Sequence, residues 1–463
     1  MDRWELAAWD AVETAQRIRQ GDVSAPEVVE AAIGRAEDAA SLDAVVTMTA
    51  DLARRTASGP TRGALFGVPF AVKDLAQVAG VRTAWGSAAS GSFVSRRSDP
   101  AVRALEAIGL VSIGKSATPE LGMTATTEPL AFGPCRNPWS RERSTGGSSG
   151  GAAALVASGV VPIAHGSDGG GSIRIPASCC GLVGLKPSRG RFDMEGSNLL
   201  PVNIAVHGVL TRTVRDTVAF WGAIERARPP RGLSPIGDVA PAPARRLRIA
   251  VFVDSPIDTT VDAEVGATVE RAAALLGELG HEVRPIACPF PAQVVHDFLR
   301  LWCFVGWLQA KTGRLLIHRG FDATRLEPFT RGFGRSFGGD VRASLAAIRR
   351  LRGFTRHYAD LIAPYDVLVG PTLAEPPPPL GHLATNQDFD VIIERLLSFT
   401  PFTGLINAAG APALSLPLGQ ARDGLPLGVQ LAAAHGQERL LLELAREIEA
   451  ARPWPRLAPP PRS

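Results

Sequence analysis

The segment from Ser144 to Ser178 constrains this chain most; it reads STGGSSGGAAALVASGVVPIAHGSDGGGSIRIPAS. It holds two glycine-rich clusters joined by a run of small apolar residues. Ser148 and Ser149 lie in the first cluster and Ser172 lies in the second. Glycine adopts positive φ easily and lets the backbone approach a ligand closely. Each serine is therefore a candidate nucleophile, part of an anion-binding loop, or a turn residue.

The composition indicates a soluble globular chain. Of 463 residues, 45% are hydrophobic and 20% are charged, and the net charge of +4 is scattered, which argues against a nucleic-acid-binding surface. The five cysteines are odd in number and lack Cys-x-x-Cys spacing. We therefore expect no disulfide framework, no zinc site and a reducing, cytoplasmic compartment. No signal-peptide pattern is evident, and no apolar run reaches the roughly 18 residues of a membrane span, so we expect no membrane partner.

Strand-like and helix-like segments alternate along the chain, which predicts an α/β protein. The first 60 residues read as helices, and in SAPEVVEAAIGRAEDA the N-cap is Ser24. GGAAALVASGV reads as a buried helix, and VVPIAHG reads as a core strand. Residues 226–246 are rich in proline and arginine and predict a surface connection.

Residues 109–116, GLVSIGKS, match the phosphate-binding pattern GxxxxGK[ST] letter for letter. A nucleotide site would place Lys115 and Ser116 on phosphate and magnesium. The central residues LVSI are apolar and strand-like, however, whereas a phosphate cradle needs a polar loop, and Pro119 follows closely. We therefore expect a strand that ends in a turn.

GGSSG and GSSGG, centred on Ser148 and Ser149, both fit the GxSxG pattern of α/β-hydrolase-type esterases. Asp423 and His435 follow in the order that such a triad requires. The preceding residues NPWSRERST are polar and do not suit the buried strand of a nucleophile elbow. The esterase is therefore kept only as an alternative.

A third hypothesis combines a serine with a lysine, because this pair can hydrolyse amides without histidine. Only four of the 49 basic residues are lysines, and lysine, unlike arginine, can lose a proton near neutral pH. Lys73 lies in the apolar stretch GVPFAVKD; as a base it needs a pKa roughly 3 units below about 10.4, which burial can produce. Asp74 would oppose this shift if it pointed the same way. The run from Asp168 to Ser172 could form an oxyanion site, but spacing alone does not tell which serine attacks.

Residues 146–191, which run from GGSSGG to KPSRGR, closely resemble the signature of the amidase signature family. GVPFAVKD resembles the block that carries the family's lysine, and IGKSATPELG and EPLAFGPCRNPWS resemble the block that follows. YDVLVGPTLAEPPPPLG and NAAGAPALSLPLG resemble the C-terminal part, so the resemblance covers roughly residues 20–450. It implies a large mixed β-sheet covered on both faces by α-helices, with no cofactor and no metal.

On this resemblance we expect one domain over residues 1–463. Its consecutive parts are an N-terminal helical part (1–60), the signature core (61–225), a variable pocket half with the closing elements (247–450) and a tail (451–463). We expect the tail to be disordered. In the variable half, RGFGRSFGGD at 331–340 reads as either a mobile pocket lid or a surface loop.

The resemblance also implies roles for individual residues. Lys73 is the base, Ser148 is a serine in a cis peptide that relays the proton, and Ser172, 24 positions later, is the nucleophile. The resemblance further implies that the N–H groups of Gly169, Gly170 and Gly171 join that of Ser172 in the oxyanion site, and that Ser149 is hydrogen-bonded to Lys73. It also implies a structural ion pair between Asp168 and Arg174, and a substrate-contact loop at Gly122 and Met123.

Among the family's branches, TEPLAFGPCRNPW, AHGSDGGGS and ASCCGLVGLKPSRGR look most like the bacterial aminohexanoate cyclic-dimer hydrolases. Aryl acylamidases and urethanases are similar as well. This implies a stand-alone hydrolase of small, rather apolar amides, a monomer or homodimer, with carbamates and aryl esters as further substrates. Cys303 is a candidate pocket residue or a buried core cysteine. An amidotransferase-type subunit that acts with a partner chain is the alternative.

Overall fold

The strands of this protein form one large sheet and one small ribbon, within the residues that the computed structural model describes, 3–60, 62–230 and 232–459. In chain order the strands are β1 (Val45–Met48), β2 (Pro69–Lys73), β3 (Val111–Ser116), β4 (Arg136–Asn137), β5 (Ser140–Ser144), β6 (Ile163–Asp168), β7 (Val183–Lys186), β8 (Val206–Thr211), β9 (Arg248–Val251), β10 (Glu282–Pro285), β11 (Val367–Pro371), β12 (Ala413–Gln420) and β13 (Pro426–Ala433). The ribbon consists of β4 and β5. The sheet has eleven strands in the order β1-β3-β2-β6-β8-β7-β12-β13-β11-β9-β10.

Helices connect most of these strands. In chain order they are α1 (Ala11–Gln20), α2 (Ala25–Asp38), α3 (Ala50–Ala57), α4 (Pro100–Ala107), α5 (Gly150–Ala157), α6 (Arg174–Cys180), α7 (Val214–Ala227), α8 (Ala263–Glu278), α9 (Ala292–Leu316), α10 (Pro328–Gly339), α11 (Val341–Ile362), α12 (Phe389–Phe399), α13 (Thr403–Ala409) and α14 (Glu438–Ala451). Short 3-10 helices lie at Leu6–Ala8, Ala40–Leu42, Ala88–Ser90, Glu120–Gly122, Ser197–Leu199 and Ala323–Arg325. None of the described helices is both long enough and apolar enough to traverse a bilayer.

The sheet is mixed, and its parallel part positions the site. β2 lies between β3 and β6 and runs parallel to both, whereas β6 pairs with β8 in the antiparallel sense. The carboxyl ends of parallel neighbours lie at the same edge of a sheet, where α/β proteins commonly bind ligands. The last residues of β2 and β6 are Lys73 and Asp168.

Helices cover both faces of the sheet, as expected. On β2, Phe70 and Val72 belong to a core that includes residues of α4, α7, α8 and α14, whereas Ala71 belongs to a core with residues of α2, α3, α5 and α6. Successive strand residues point to opposite faces, so the two cores lie on the two sides. A third core packs residues of α9, α11 and α13 against Ala250 of β9 and Leu368 of β11.

Several local predictions are confirmed. Ser24 caps α2 through a capping box with Glu27, in which each side chain satisfies a main-chain N–H of the other residue. GGAAALVASGV contains the fully buried helix α5, and VVPIAHG contains the start of β6. The P-loop-like run contains β3, a strand.

Three other expectations were wrong. The first 60 residues are not all helical, because VVTM forms β1, which pairs with β3 at the sheet edge. Residues 331–340 are neither a lid loop nor a surface loop: they are helical up to residue 339, as part of α10. The tail is not disordered over its described part. The Trp454 ring is buried and donates a hydrogen bond to the carbonyl of Arg212, and Ala458 N–H donates to Ala157. Residues 460–463 lie outside the described residues.

Candidate active site

Lys73 lies at the carboxyl end of β2 with its side chain entirely buried. Its Nζ is 2.8 Å from Ser148 Oγ and 3.1 Å from Ser167 Oγ. Burial lowers the pKa of this amine from 10.5 to about 7, and the nearby Asp168 carboxylate opposes that shift. The amine is therefore able to accept a proton near neutral pH, which a solvated lysine cannot do.

Asp74 follows Lys73, and its carboxylate belongs to a different cluster. Asp74 Oδ1 lies 2.7 Å from Lys115 Nζ, and both side chains are fully buried. Lys115 also donates to Thr83 Oγ1 at 3.1 Å. The Asp74 carboxylate is thus bound by the lysine of the P-loop-like sequence, whereas the Lys73 amine contacts Ser148 and Ser167.

The first serine cluster forms a tight loop before α5. The peptide bond between Gly147 and Ser148 is cis. Gly147 lies against the backbone of Thr126, where an added Cβ would come within 2.6 Å of a carbonyl oxygen, so no larger residue fits. Thr127 Oγ1 donates to the carbonyl of Gly146. The loop thereby directs the Ser148 hydroxyl towards Lys73.

The second cluster follows β6 and is held by Asp168. This carboxylate accepts hydrogen bonds from the N–H of Gly171 at 2.7 Å and of Ile173 at 3.1 Å. It also forms a doubly hydrogen-bonded ion pair with Arg174, at 3.0 Å for each contact, in full burial. Although burial opposes it, the Arg174 guanidinium holds the pKa of Asp168 well below its usual range. The expected ion pair is therefore present and fixes the glycine loop.

Distant segments complete this network. Asn407 on α13 donates through Nδ2 to Asp168 Oδ1 at 2.9 Å and accepts through Oδ1 from Arg174 at 2.5 Å. Gln430 on β13 accepts from Arg174 at 2.6 Å. Thr403 Oγ1 donates to the carbonyl of Gly170 at 2.6 Å. The polar groups of the glycine loop are thus tied to the C-terminal part of the chain.

The glycine loop differs in one respect from the expected oxyanion site. The N–H of Gly171 is occupied by Asp168, because the carboxylate lies directly beneath the turn. Over the described ranges, no protein acceptor is hydrogen-bonded to the N–H of Gly169, Gly170 or Ser172. These three groups are available to a substrate, and Gly171 is not. Its φ of +127° instead shapes the turn.

Ser172 faces a pocket whose walls are almost entirely apolar. The pocket-lining residues are Met123, Thr124, Ala125, Gly170, Ser172, Ile175, Val295, Phe298, Leu299, Trp302, Ile393, Leu396, Leu397, Thr400, Pro401, Gly404 and Leu405. None of them carries a charged side chain. Four come from one face of α9, at the i, i+3, i+4 and i+7 positions that align on a helix. The rings of Phe298 and Trp302 stack, with 5.9 Å between centroids.

The expected substrate-contact loop lies beside this pocket. Met123 lines the pocket, and its carbonyl accepts a hydrogen bond from Trp302 Nε1 at 3.1 Å. Gly122 has a φ of +73°, and a Cβ there would lie 3.3 Å from Ser148 Oγ. The loop thus connects Ser148 with the apolar wall formed by α9.

One expected site contact is wrong, and the two alternatives for Cys303 are decided. Ser149 does not bond Lys73: its hydroxyl donates to the carbonyl of Ser167 at 3.3 Å because it points to the next strand. Of the two alternatives for Cys303, the buried core cysteine is confirmed, because the residue is buried and is not among those that line the pocket. It is one residue beyond Trp302 on α9, so its thiol faces α10, where Ser336 Oγ lies 3.4 Å away.

Ser167 is the contact that sequence reasoning missed. It lies two residues after His165 on β6, and its hydroxyl takes the position beside Lys73 that we assigned to Ser149. The period of two along a strand places His165 and Ser167 on one face of β6, but it does not tell that Ser167 contacts the Lys73 amine.

The esterase alternative is also wrong. Asp423 is paired with Arg143 at 3.2 Å, and His435 is hydrogen-bonded to the carbonyl of Arg189 at 3.0 Å. Both side chains are thus engaged by partners other than the serines of the first cluster. Along the described chain, neither side chain hydrogen-bonds Ser148 or Ser149.

Comparison with known proteins gives consistent similarities. A family model described as Amidase matches residues 27–442. A Mycobacterium tuberculosis protein with the provisional name amidase AmiC is 45% identical over 98% of this chain and 97% of its own length. The 6-aminohexanoate-cyclic-dimer hydrolase of Paenarthrobacter ureafaciens is 35% identical over 98% of this chain and 96% of its own.

Solved structures are similar over the same extent. A 6-aminohexanoate cyclic dimer hydrolase complexed with substrate superposes with a TM-score of 0.86 at 31% identity, covering 98% of both chains. A bacterial aryl acylamidase superposes with a TM-score of 0.84 at 26% identity, covering 96% of both chains.

Proposed function

The chain belongs to the amidase signature family, a family of hydrolases of C–N amide bonds, and we propose that it cleaves small, uncharged, apolar amides through an acyl-enzyme on Ser172. The observation that carries the proposal is the buried amine of Lys73, 2.8 Å from Ser148 Oγ, with its pKa lowered to about 7 by desolvation. A lysine placed in this way is suited to act as a general base, a role for which a solvated lysine is too strongly protonated.

In the acylation step, Ser172 Oγ attacks the carbonyl carbon and transfers its proton to Ser148, which gives its own proton to Lys73. The carbonyl oxygen becomes an oxyanion that the free N–H groups of Gly169, Gly170 and Ser172 can stabilise. Preorganised donors of this kind are worth roughly 3–4 kcal/mol each in comparable sites. The C–N bond then breaks, and the leaving amine takes the proton back through Ser148.

Deacylation uses the same groups in the same order. Water loses a proton through Ser148 to Lys73 and attacks the acyl carbon. Ser172 then leaves with a proton returned by the same path. The products are a carboxylic acid and an amine, and the three side chains return to their starting protonation states.

The pocket supports the substrate class. Its uncharged walls favour an apolar acyl or aryl group, because burial there contributes about 25 cal/mol per Å² of apolar surface. A carboxylate or ammonium group on the substrate would lose its hydration without gaining a partner, at a cost of several kcal/mol. Carbamates and aryl esters of similar shape undergo the same acylation chemistry and are proposed as further substrates.

The test is a panel of a neutral anilide, a carbamate, a primary amide and an aryl ester, each compared with a carboxylate-bearing analogue. We expect the neutral members to be cleaved and the charged analogues to show kcat/KM at least 100-fold lower. Ser172→Ala, Ser148→Ala and Lys73→Met should each lose at least 1,000-fold in kcat/KM. The control Ser58→Ala, at the exposed residue that caps the C-terminus of α3, should behave as wild type.

Mass spectrometry of the enzyme quenched during turnover of the ester adds a direct readout. The proposal requires the acyl mass on the peptide that contains Ser172. An acyl group on another serine, or full activity of Ser172→Ala, would overturn the assignment of the nucleophile.

A further inference from the structure

A chain of two histidines and a glutamate runs from the main chain of Lys73 to the protein surface. The N–H of Lys73 donates to His165 Nδ1 at 3.3 Å, and His165 Nε2 lies 3.0 Å from His207 Nδ1. His207 Nε2 lies 3.1 Å from Glu195 Oε2. Both histidines are buried, whereas the Glu195 side chain is 32% exposed. No step of the proposed reaction uses these groups.

This hydrogen-bonded series of His165, His207 and Glu195 begins where the regular pairing of β2 with β6 ends. The parallel register continues only to Ala71 and Ala164. Beyond that point Lys73 needs an acceptor for its N–H, since a buried unpaired donor costs about 1–3 kcal/mol. His165, the next residue of β6, supplies it. His165 and Ser167 share one side of β6, so one holds the main chain of Lys73 and the other contacts its amine.

The hydrogen bonds determine which nitrogens carry protons. A main-chain N–H can only donate, so His165 Nδ1 accepts and the ring proton lies on Nε2. Burial lowers the pKa of His165 well below its usual range, which keeps this ring neutral. Nε2–H then donates to His207 Nδ1, and His207 Nε2–H donates to the Glu195 carboxylate. A proton on His207 Nδ1 would clash with the proton on His165 Nε2. These hydrogen bonds are therefore consistent with only one placement of protons on the two rings.

We infer that His165, oriented through His207 by Glu195, is a positioning residue that holds the end of β2 so that the Lys73 amine stays in contact with Ser148 and Ser167. This inference rests on the proposed function, because it concerns the base of that reaction. A base displaced by about 1 Å can cost on the order of 100-fold in rate. A lysine that loosens also regains water, and its pKa moves back towards 10.5.

The test compares His165→Leu, His165→Gln, Glu195→Leu and Glu195→Gln. The leucine variants remove an acceptor, whereas glutamine retains an oxygen that can accept. We expect His165→Leu and Glu195→Leu to lower kcat at least tenfold and to move the acid limb of the kcat/KM profile upward by at least 0.5 pH unit. Each glutamine variant should recover part of both losses. Because Glu195 is partly exposed, its variants test the inference even if His165→Leu does not fold.

A matched control exists elsewhere in the sheet. His281 accepts the N–H of Leu247 on Nδ1 at 3.2 Å and bonds Glu447 through Nε2 at 3.0 Å, with no connection to Lys73. His281→Leu removes the same kind of bonds, so it measures the purely structural cost. We expect it to lower stability and leave the acid limb unchanged. Folded His165→Leu and Glu195→Leu with the wild-type acid limb and kcat would overturn the inference.

An activity-independent measurement separates this inference from the proposed function. Nitrogen-15 NMR of the protein labelled at histidine, assigned by comparison with His165→Gln, should show His165 neutral with its proton on Nε2 between pH 5 and 9. A proton on Nδ1, or a charged ring in this range, would overturn the inference whether or not the enzyme is active. Absence of amide hydrolysis by wild type, with the expected tautomer observed, would instead contradict the proposed function.

Discussion

Asp74 and Lys115 form a fully buried ion pair, with 2.7 Å between Oδ1 and Nζ, that is separate from the contacts of the Lys73 amine with Ser148 and Ser167. Asp74 has a second acceptor contact, from the N–H of Ala84 at 3.0 Å. The pair engages a carboxylate that is adjacent to Lys73 in sequence and would otherwise raise the pKa of the Lys73 amine. The pKa of Lys73, which is lowered to about 7 although an aspartate follows it in the sequence, therefore depends on where the Asp74 carboxylate points and on what binds it.

Removal of one member of this pair should be costly. Lys115→Met leaves the Asp74 carboxylate buried without its partner, and we expect a loss of about 3–5 kcal/mol in the free energy of unfolding, measured by urea denaturation. The double variant Asp74→Asn/Lys115→Met removes both charges and should recover more than half of the loss. Equal stabilities of the single variant and wild type would contradict the ion pair.

The lowered pKa of Lys73 predicts a stability profile with a definite sign. Between about pH 7 and 10.5 the unfolded chain binds a proton at Lys73 that the folded protein does not, so wild-type stability gains with rising pH from this group. Lys73→Met lacks this pH-dependent contribution to the unfolding free energy. We expect the variant to exceed wild type in unfolding free energy by up to about 5 kcal/mol below pH 7, with the difference disappearing near pH 10.5.

Urea denaturation of both proteins at pH 6.5 and pH 10 measures this difference, and the contributions of other groups cancel in the comparison. A gap between the two proteins that stays constant or widens with pH would contradict the buried, neutral amine.

Gly171 should not tolerate a side chain. Its φ is +127°, and an added Cβ would lie 2.3 Å from Thr403 Oγ1, which donates to the carbonyl of Gly170. We expect Gly171→Ala to displace the loop that carries Ser172 and to lower kcat/KM at least 100-fold. Gly338→Ala, on α10 with no atom within 4 Å of the added carbon, is the control and should retain wild-type kinetics. An active Gly171→Ala enzyme would show that the turn is not needed.

A pair of buried carboxylates predicts a second pH dependence. Burial and the neighbouring Glu120 raise the pKa of Glu327 from 4.5 to about 7. The folded protein therefore holds a proton that the unfolded chain releases between pH 4.5 and 7, and stability from this group falls as pH rises. Glu327→Gln mimics the protonated form. Relative to wild type, we expect it to gain up to about 3 kcal/mol in unfolding free energy between pH 4.5 and pH 8. A pH-independent difference in thermal or urea denaturation would contradict the shift.

Much of the site could be predicted because its residues lie in two short sequence motifs. Lys73, Ser148 and Ser172 were indicated by local composition and by the family resemblance, and the low lysine content drew attention to the first. Asp74 shows how far the sequence can be taken. The sequence raises the question of whether the Asp74 carboxylate faces the Lys73 amine, but only the folded structure shows that it pairs with the distant Lys115.

The remaining errors have physical reasons. Cys303 and Trp302 are adjacent in sequence, and only the phase of α9 relative to the pocket decides which one lines it. β1 is only four residues long and lies between helices, so the sequence pattern around it indicates a helix. Its pairing with β3, which is distant in the sequence, makes it a strand. In residues 331–340 glycines suggested a loop, whereas burial of Phe333 against Phe389 favours a helix.

The ties of Asp168 and Arg174 to Asn407 and Gln430 bear on when the enzyme becomes active during synthesis. These contacts bridge 239 and 256 residues of chain. When the segment that carries Ser172 leaves the ribosome, Asp168 and Arg174 are present, but Asn407 and Gln430, which complete the network around the glycine loop, have not yet been translated. The loop that carries Ser172 therefore completes its hydrogen-bond network only after β13 has emerged. With Ser172 as the proposed nucleophile, a chain that terminates before β13 is not expected to hydrolyse amides in the cell.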